Sequence, residues 1–173
     1  MRTALLACAV TGALFASASA QAASSTGNLN VSATVNASCV VVGAGTMDFG
    51  NYDPAGANNA TAKDVDGTFN VRCTKGTSAK IWLLEGNNKT GTSSCTTPER
   101  QMASGANRLA YFLYQNTGRT TPWGCLDASS PTAYVSASSN TSAAQTVYGR
   151  IPAGQDVAVA ANYADVVTIQ LNF

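Results

Sequence analysis

The chain has 173 residues, enough for one domain with a substantial core. Charged residues make up only 11%, ten Lys and Arg stand against nine Asp and Glu, and there is no histidine. A near-zero net charge supplies no basic face for nucleic acid or an anionic membrane. The missing histidine removes the usual general base and the commonest metal ligand.

Residues 1–22 read as a cleaved signal peptide. Arg2 is a short positive start, Ala4 to Phe15 is an apolar run, and Ala18-Ser19-Ala20 or Ala20-Gln21-Ala22 fits small-residue cleavage. A membrane anchor needs about twenty apolar residues, and Ser17, Ser19 and Gln21 interrupt this run. Removing the leader takes away Arg2 and Cys8, so the mature chain is balanced in charge and keeps Cys39, Cys73, Cys95 and Cys125. An even number of cysteines in an exported chain implies two disulfides. Four cysteines allow three pairings, and the un-nested one, Cys39–Cys73 with Cys95–Cys125, is the expectation. A zinc site is disfavoured, since there is neither histidine nor a C-x-x-C pair.

Residues 23–36 form an extension with strict alternation. Leu29, Val31, Ala33 and Val35 fall on one face of a strand, and Asn30, Ser32, Thr34 and Asn36 on the other. From 37 to 173 the periodic segments are short and have period two. They are expected at 39–42, 46–50, 67–73, 80–85, 107–114, 145–151, 156–161 and 166–173. Polar turns are expected at 56–63, 86–100, 116–121 and 136–144. No segment holds a helical period, no linker splits the chain, and no repeat is found. This pattern predicts an all-β sandwich or barrel. The last strand, with Val167, Ile169, Leu171 and Phe173 on one face, runs to the final residue. If it lacks a neighbour, it leaves an apolar groove and an unpaired edge that a strand from another molecule fills.

Signals for chemistry are weak. Nine carboxylates exist, Asp127 among them, but nothing in one sequence brings two to the separation glycoside hydrolysis needs. Gly43-Ala44-Gly45 lacks the spacing and following helix of a nucleotide loop. Asp64-Val65-Asp66-Gly67 lacks the downstream Glu of a calcium loop and reads as a turn into the Phe69 strand. Phe49, Phe69 and Trp82 are expected in the core. Tyr111, Phe112 and Tyr114 divide between core and subunit contact, and Trp123 packs on a disulfide. No catalytic residue, metal or cofactor is expected.

Several segments in order resemble one family. Thr26-Gly27-Asn28-Leu29-Asn30-Val31 and Asn36-Ala37-Ser38-Cys39 open it. Asp48-Phe49-Gly50-Asn51-Tyr52, Val71-Arg72-Cys73, Arg100-Gln101-Met102 and Leu109-Ala110-Tyr111-Phe112-Leu113-Tyr114 follow. Val147-Tyr148-Gly149-Arg150-Ile151-Pro152 and Asn162-Tyr163-Ala164-Asp165 with its trailing strand close it. They resemble the spore coat protein U family and, within it, Csu-type subunits of archaic chaperone–usher pili. Cys95, Cys125 and the small Ala33 depart from the pattern. The resemblance implies an incomplete immunoglobulin-like sandwich missing its last strand. It implies Leu29, Val31, Ala33 and Val35 as donor strand, with Val167, Ile169, Leu171 and Phe173 as acceptor groove opposite 39–42. It also implies a periplasmic chaperone, an outer-membrane usher, further copies of the chain and a tip adhesin as partners, with export through the periplasm to a pilus serving adhesion and biofilm formation. Competing readings are a spore-coat or surface protein of the same family, a carbohydrate-binding adhesive module and a secreted enzyme.

Overall fold

The computed structural model describes residues 21–125, 133–137 and 139–173. The predicted leader, apart from its last two residues, and Asp127 lie outside them. All regular structure among the described residues is β: β1 (Cys39–Gly43), β2 (Lys63–Cys73), β3 (Ser78–Leu83), β4 (Arg100–Ser104), β5 (Asn107–Tyr114), β6 (Ala133–Ser136), β7 (Ala143–Ile151) and β8 (Ile169–Asn172). No helix there is long and apolar enough to cross a membrane.

Every ladder is antiparallel. One sheet runs β1-β2-β7-β5-β4 and the other β6-β3-β8. Both belong to the compact unit Val35–Phe173. The core between them follows from alternation. In β2, Gly67, Phe69, Val71 and Cys73 are buried while Thr68, Asn70 and Arg72 are exposed; in β3, Ala79, Ile81 and Leu83 face the same core. The outward face of the larger sheet is polar, with Arg150 forked onto Asp64 and Arg119 paired to Asp66.

The disulfides are the two expected. Cys39–Cys73 joins β1 to β2 at directly opposed positions, and Cys95–Cys125 ties the loop before β4 to the segment after β5. Sequence separations of 34 and 30 place each at about 3–4 kcal/mol of unfolded-chain restriction.

The strand order carries the architecture. An immunoglobulin-type sandwich has sheets ABED and CFG. Here β1-β2-β7-β5 occupies the places of A-B-E-D, and β3 and β8 those of C and F. The crossings from β2 to β3 and from β7 to β8 are the same sheet changes. β4 extends the first sheet beyond D, and β6 flanks β3. Nothing among the described residues occupies the place of G, beside β8.

Several sequence expectations need correction. Asp64–Gly67 lies in the first half of β2 and is not a turn: it pairs with Val147–Arg150 of β7. Thr46–Gly50 joins no ladder, and instead crosses the inner face of the larger sheet. Gly149 makes room for it, since a Cβ there would strike Met47 and Phe49. Asp156–Ala161 is also outside any ladder, with Val159 wholly exposed. Trp123 packs in the core, its ring centroid 6.4 Å from that of Phe69. Two strands were not foreseen. β6 is four residues long and weakly patterned. β4 carries Arg100, not an apolar residue, as its most buried side chain, with Met102 partly buried on the same face.

Candidate functional site

The segment leading into β8 changes sheets along one edge. Ala164 exchanges both backbone bonds with Ala103 of β4, at 2.9 and 3.1 Å. The Val166 carbonyl accepts from the Asn87 N–H at 3.2 Å, and the Thr168 carbonyl from Leu84 at 2.9 Å. Then the ladder with β3 takes over at Gln170↔Trp82 and Asn172↔Lys80. Even-numbered residues therefore turn their backbone groups toward paired neighbours. By the parity of an extended strand, the N–H and C=O groups of Asp165, Val167, Ile169, Leu171 and Phe173 point the other way. No strand among the described residues meets them.

An apolar cleft of about 300 Å³ lies along this edge, walled by Val167, Ile169, Leu83 and Leu113 and floored by Met47 and Phe69. A second hollow of about 410 Å³ adjoins it, sharing Met47, Phe49, Met102 and Tyr163. Together they run from the Val157–Tyr163 segment toward the middle of the sandwich. The core is open where a further strand would close it, and Val167, Ile169 and Leu171 are for that reason only partly buried.

A buried polar cluster holds the edge in place. Arg100, 1% exposed, donates to the carbonyls of Leu83 at 2.6 Å, Leu84 at 2.9 Å and Trp123 at 3.0 Å. Burial lowers its pKa to about 10, and Tyr111, Glu85 and Asp165 oppose that shift. The Tyr111 hydroxyl donates to Asp165 Oδ2 at 2.7 Å. Asp165 Oδ1 accepts from the N–H groups of Asn87 and Asn88, at 3.0 and 3.1 Å. Gly86 has φ +85°, and a Cβ on it would collide with the Asp165 carboxylate. Burial, and then the Asp165 hydrogen bond, push the Tyr111 phenol upward. A side chain on β5, one on β4 and the β3–β4 loop thus converge on the strand that bears the open edge.

The predicted groove residues divide. Val167 and Ile169 line the cleft, Leu171 packs beside it against the core, and Phe173 is 53% exposed at the end of the edge. Val41 of β1 is half-buried, but the wall that follows β1 comes from Gly45 to Phe49, not from residues 39–42. The alternation of β8 located one wall; the rest comes from residues distant in sequence. The predicted extension carries no ladder. Leu29, Val31 and Val35 are 87%, 84% and 80% exposed, and Ala33 is exposed too. Glu85, Cys95 and Cys125 cluster, but both sulfurs are in the disulfide and offer no thiolate.

The fold and this edge define an immunoglobulin-like sandwich that is one strand short. The profile of the Spore Coat Protein U domain matches residues 25–170, and the chain belongs to that family. Protein U of Myxococcus xanthus is 34% identical over 180 residues, covering 100% of this chain and 98% of its own length. Among solved structures, the crystal structure of the CsuC-CsuE chaperone-tip adhesion subunit pre-assembly complex from archaic chaperone-usher Csu pili of Acinetobacter baumannii is similar at 23% identity and a TM-score of 0.45. The match covers 81% of this chain, which spans 40% of that one.

Proposed function

We propose that the protein is a structural subunit of a surface fibre, polymerised by insertion of Leu29–Val35 of one copy into the open edge of the next. The observation that carries this reading is the unpaired Asp165–Phe173 edge in the place of strand G, with an apolar cleft beside it. The dimensions agree. The edge offers nine residues, about 30 Å, and the alternating segment seven, about 23 Å. The donor's backbone completes the ladder, and Leu29, Val31 and Val35 enter the cleft.

Connectivity sets the polarity. β1 begins where Cys39 meets Cys73, and the short turn from Cys73 to Ser78 brings that end to the start of β3, where Asn172 pairs with Lys80. The extension therefore leaves at the end where β8 finishes. A donor lying antiparallel to β8 keeps its own body at the opposite end. The contact is then head-to-tail and does not close, which gives a filament.

An open edge and cleft also need a temporary cover during export, since unpaired edges aggregate. A periplasmic chaperone lending a strand, and an usher exchanging it for the next subunit, fit that need. The resemblance implies both, together with a tip adhesin and a role in adhesion and biofilm formation. The family's name favours a second product of the same contact, a coat over a spore or cell rather than a pilus.

The test is a melting curve of the chain truncated before Ala37, with and without a peptide of residues 27–36. Large stabilisation by the native peptide supports an open acceptor. A truncated domain already fully stable and indifferent to the peptide overturns it.

A further inference from the structure

We propose that Met47 and Met102 form an oxidation site in the open groove: a peroxide converts them to sulfoxides while the groove is empty, and a subunit so modified no longer takes up a donor segment. This rests on the reading above and adds a chemical modification that acts on the acceptor alone.

The sequence holds three methionines, and Met1 opens the predicted leader. The other two are far apart in the chain, yet both line the cleft and both line the hollow that adjoins it. Each is only partly buried. The other sulfurs and the indoles among the described residues are closed off. Cys39, Cys73, Cys95 and Cys125 are held in disulfides, and Trp82 and Trp123 are buried. A thioether is soft and polarisable, and these two are the ones an oxidant in the groove can reach.

Two glycines set Met47 in place. A Cβ on Gly149 would strike its Sδ, and one on Gly67 would press on its Cε and Cβ at 3.0 and 3.3 Å. The sulfur therefore lies against the inner face of the larger sheet, with the cleft on its other side. The reaction needs only access. A lone pair on Sδ attacks one peroxide oxygen, the S–O bond forms as the O–O bond breaks, and the second oxygen takes up a proton and leaves as water. Sulfur gives up two electrons and the peroxide receives them. The product is polar where a flexible apolar side chain had been. The sheet leaves no room for the added oxygen, so it stands on the cleft side, in the path of the donor's apolar face. The side chains of Leu83, Leu113, Val167 and Ile169 offer it no hydrogen-bond donor. Burying that acceptor unpaired should weaken uptake by about ten- to hundredfold.

Occupancy works the other way, because an inserted donor covers both sulfurs. In a head-to-tail fibre every groove but the terminal one is filled. Fibres already built should therefore withstand an oxidant that disables free subunits.

The test exposes the mature full-length chain to hydrogen peroxide, with and without the 27–36 peptide. Sulfoxides are then mapped by mass spectrometry, and binding of the fluorescent peptide is measured. Sulfoxide is expected at Met47 and Met102 in the free chain. With peptide at about ten times its Kd, about 10% of grooves stay open, so oxidation should slow about tenfold. The oxidised chain should bind the peptide about ten- to hundredfold more weakly. Met47→Leu/Met102→Leu has no thioether in the groove, and whatever its own affinity, peroxide should leave that affinity unchanged. Thioethers that stay reduced in the free chain, or an oxidised chain that binds as the untreated one does, would overturn the oxidation site and leave the groove standing. Equal loss of binding in the leucine variant would do the same, since the damage would then lie elsewhere. An untreated chain that never binds the peptide would sink the groove, and the proposed effect of oxidation with it.

Discussion

Val31→Asp is the sharpest perturbation of the proposed contact. Val31 is 84% exposed on the free segment, and burying its side chain is worth about 2 kcal/mol. Aspartate forfeits that and must enter an apolar cleft, where only the neutral acid is tolerated. Raising a carboxyl pKa from about 4 to 7 or above costs at least about 4 kcal/mol at neutral pH. The sum, about 6 kcal/mol, is a loss of roughly 10⁴ in affinity. Val31→Ala, which loses only apolar area, should weaken binding by roughly 10–30-fold. Ser32→Asp, on the opposite face of the strand, should change it little.

The aspartate variant also has a pH signature. Its pKa is raised in the bound state, so binding takes up a proton. Affinity should recover by about tenfold for each unit the pH falls between the bound and free values. Val31→Asn, which does not titrate, should show no recovery. Fibre yield by sedimentation and the melting shift given by the corresponding 27–36 peptides measure all four variants, and export of the subunit should be unchanged. Wild-type fibre yield from Val31→Asp, or equal damage from Ser32→Asp, would refute the alternating-face insertion.

Arg100→Met should leave three buried carbonyls without a donor and lower stability by about 3 kcal/mol, a fall of about 6–12 °C in Tm; an unchanged Tm would show that water replaces the guanidinium. Because the folded state raises the Tyr111 pKa, the stability it contributes is complete below pH 10, its ordinary value, and is lost as pH climbs beyond it. Tyr111→Phe should cost about 1.5–3 kcal/mol at neutral pH and flatten that alkaline loss, read from Tm between pH 8 and 11. Gly149→Val should drive Met47 and Phe49 off the inner face, costing about 1–3 kcal/mol and abolishing the peptide's melting shift.

What could be read from the sequence followed period two. β5 was legible to the residue, since Leu109, Tyr111 and Leu113 alternate with residues that face outward. β8 was recognised, though only Ile169–Asn172 forms a ladder, because the residues before it bond to a loop and to β4 rather than to one straight neighbour. β4 was invisible because its most buried residue is an arginine, and nothing local announces that three carbonyls from elsewhere will satisfy it. The floor of the cleft was missed for a related reason. Met47 and Phe49 lie on an irregular segment whose position depends on Gly67 and Gly149, glycines on two neighbouring strands that are far apart in sequence. Alternation reports which face a strand buries; it does not report which strand is absent.

The buried cluster and the empty edge belong to one arrangement. A strand bonded on one side only would ordinarily fray, and a frayed acceptor would have to be ordered at each insertion, at about 1–2 kcal/mol per residue. Here the strand is held from its paired side along its whole length. Ala103 fixes Ala164, Asp165 grips the Asn87 and Asn88 backbone, and Arg100 ties the end of β3 to the segment carrying Trp123. None of these bonds uses the backbone groups that face the cleft. The edge is therefore ordered before anything occupies it, and the ordering cost of assembly falls on the incoming segment alone. That segment is short, uncharged and strictly alternating. Loosening the cluster should for this reason weaken strand uptake even when the apolar walls are untouched. In Tyr111→Phe that loss should appear as slower insertion of the 27–36 peptide, and an insertion rate equal to wild type would show that the edge needs no such support.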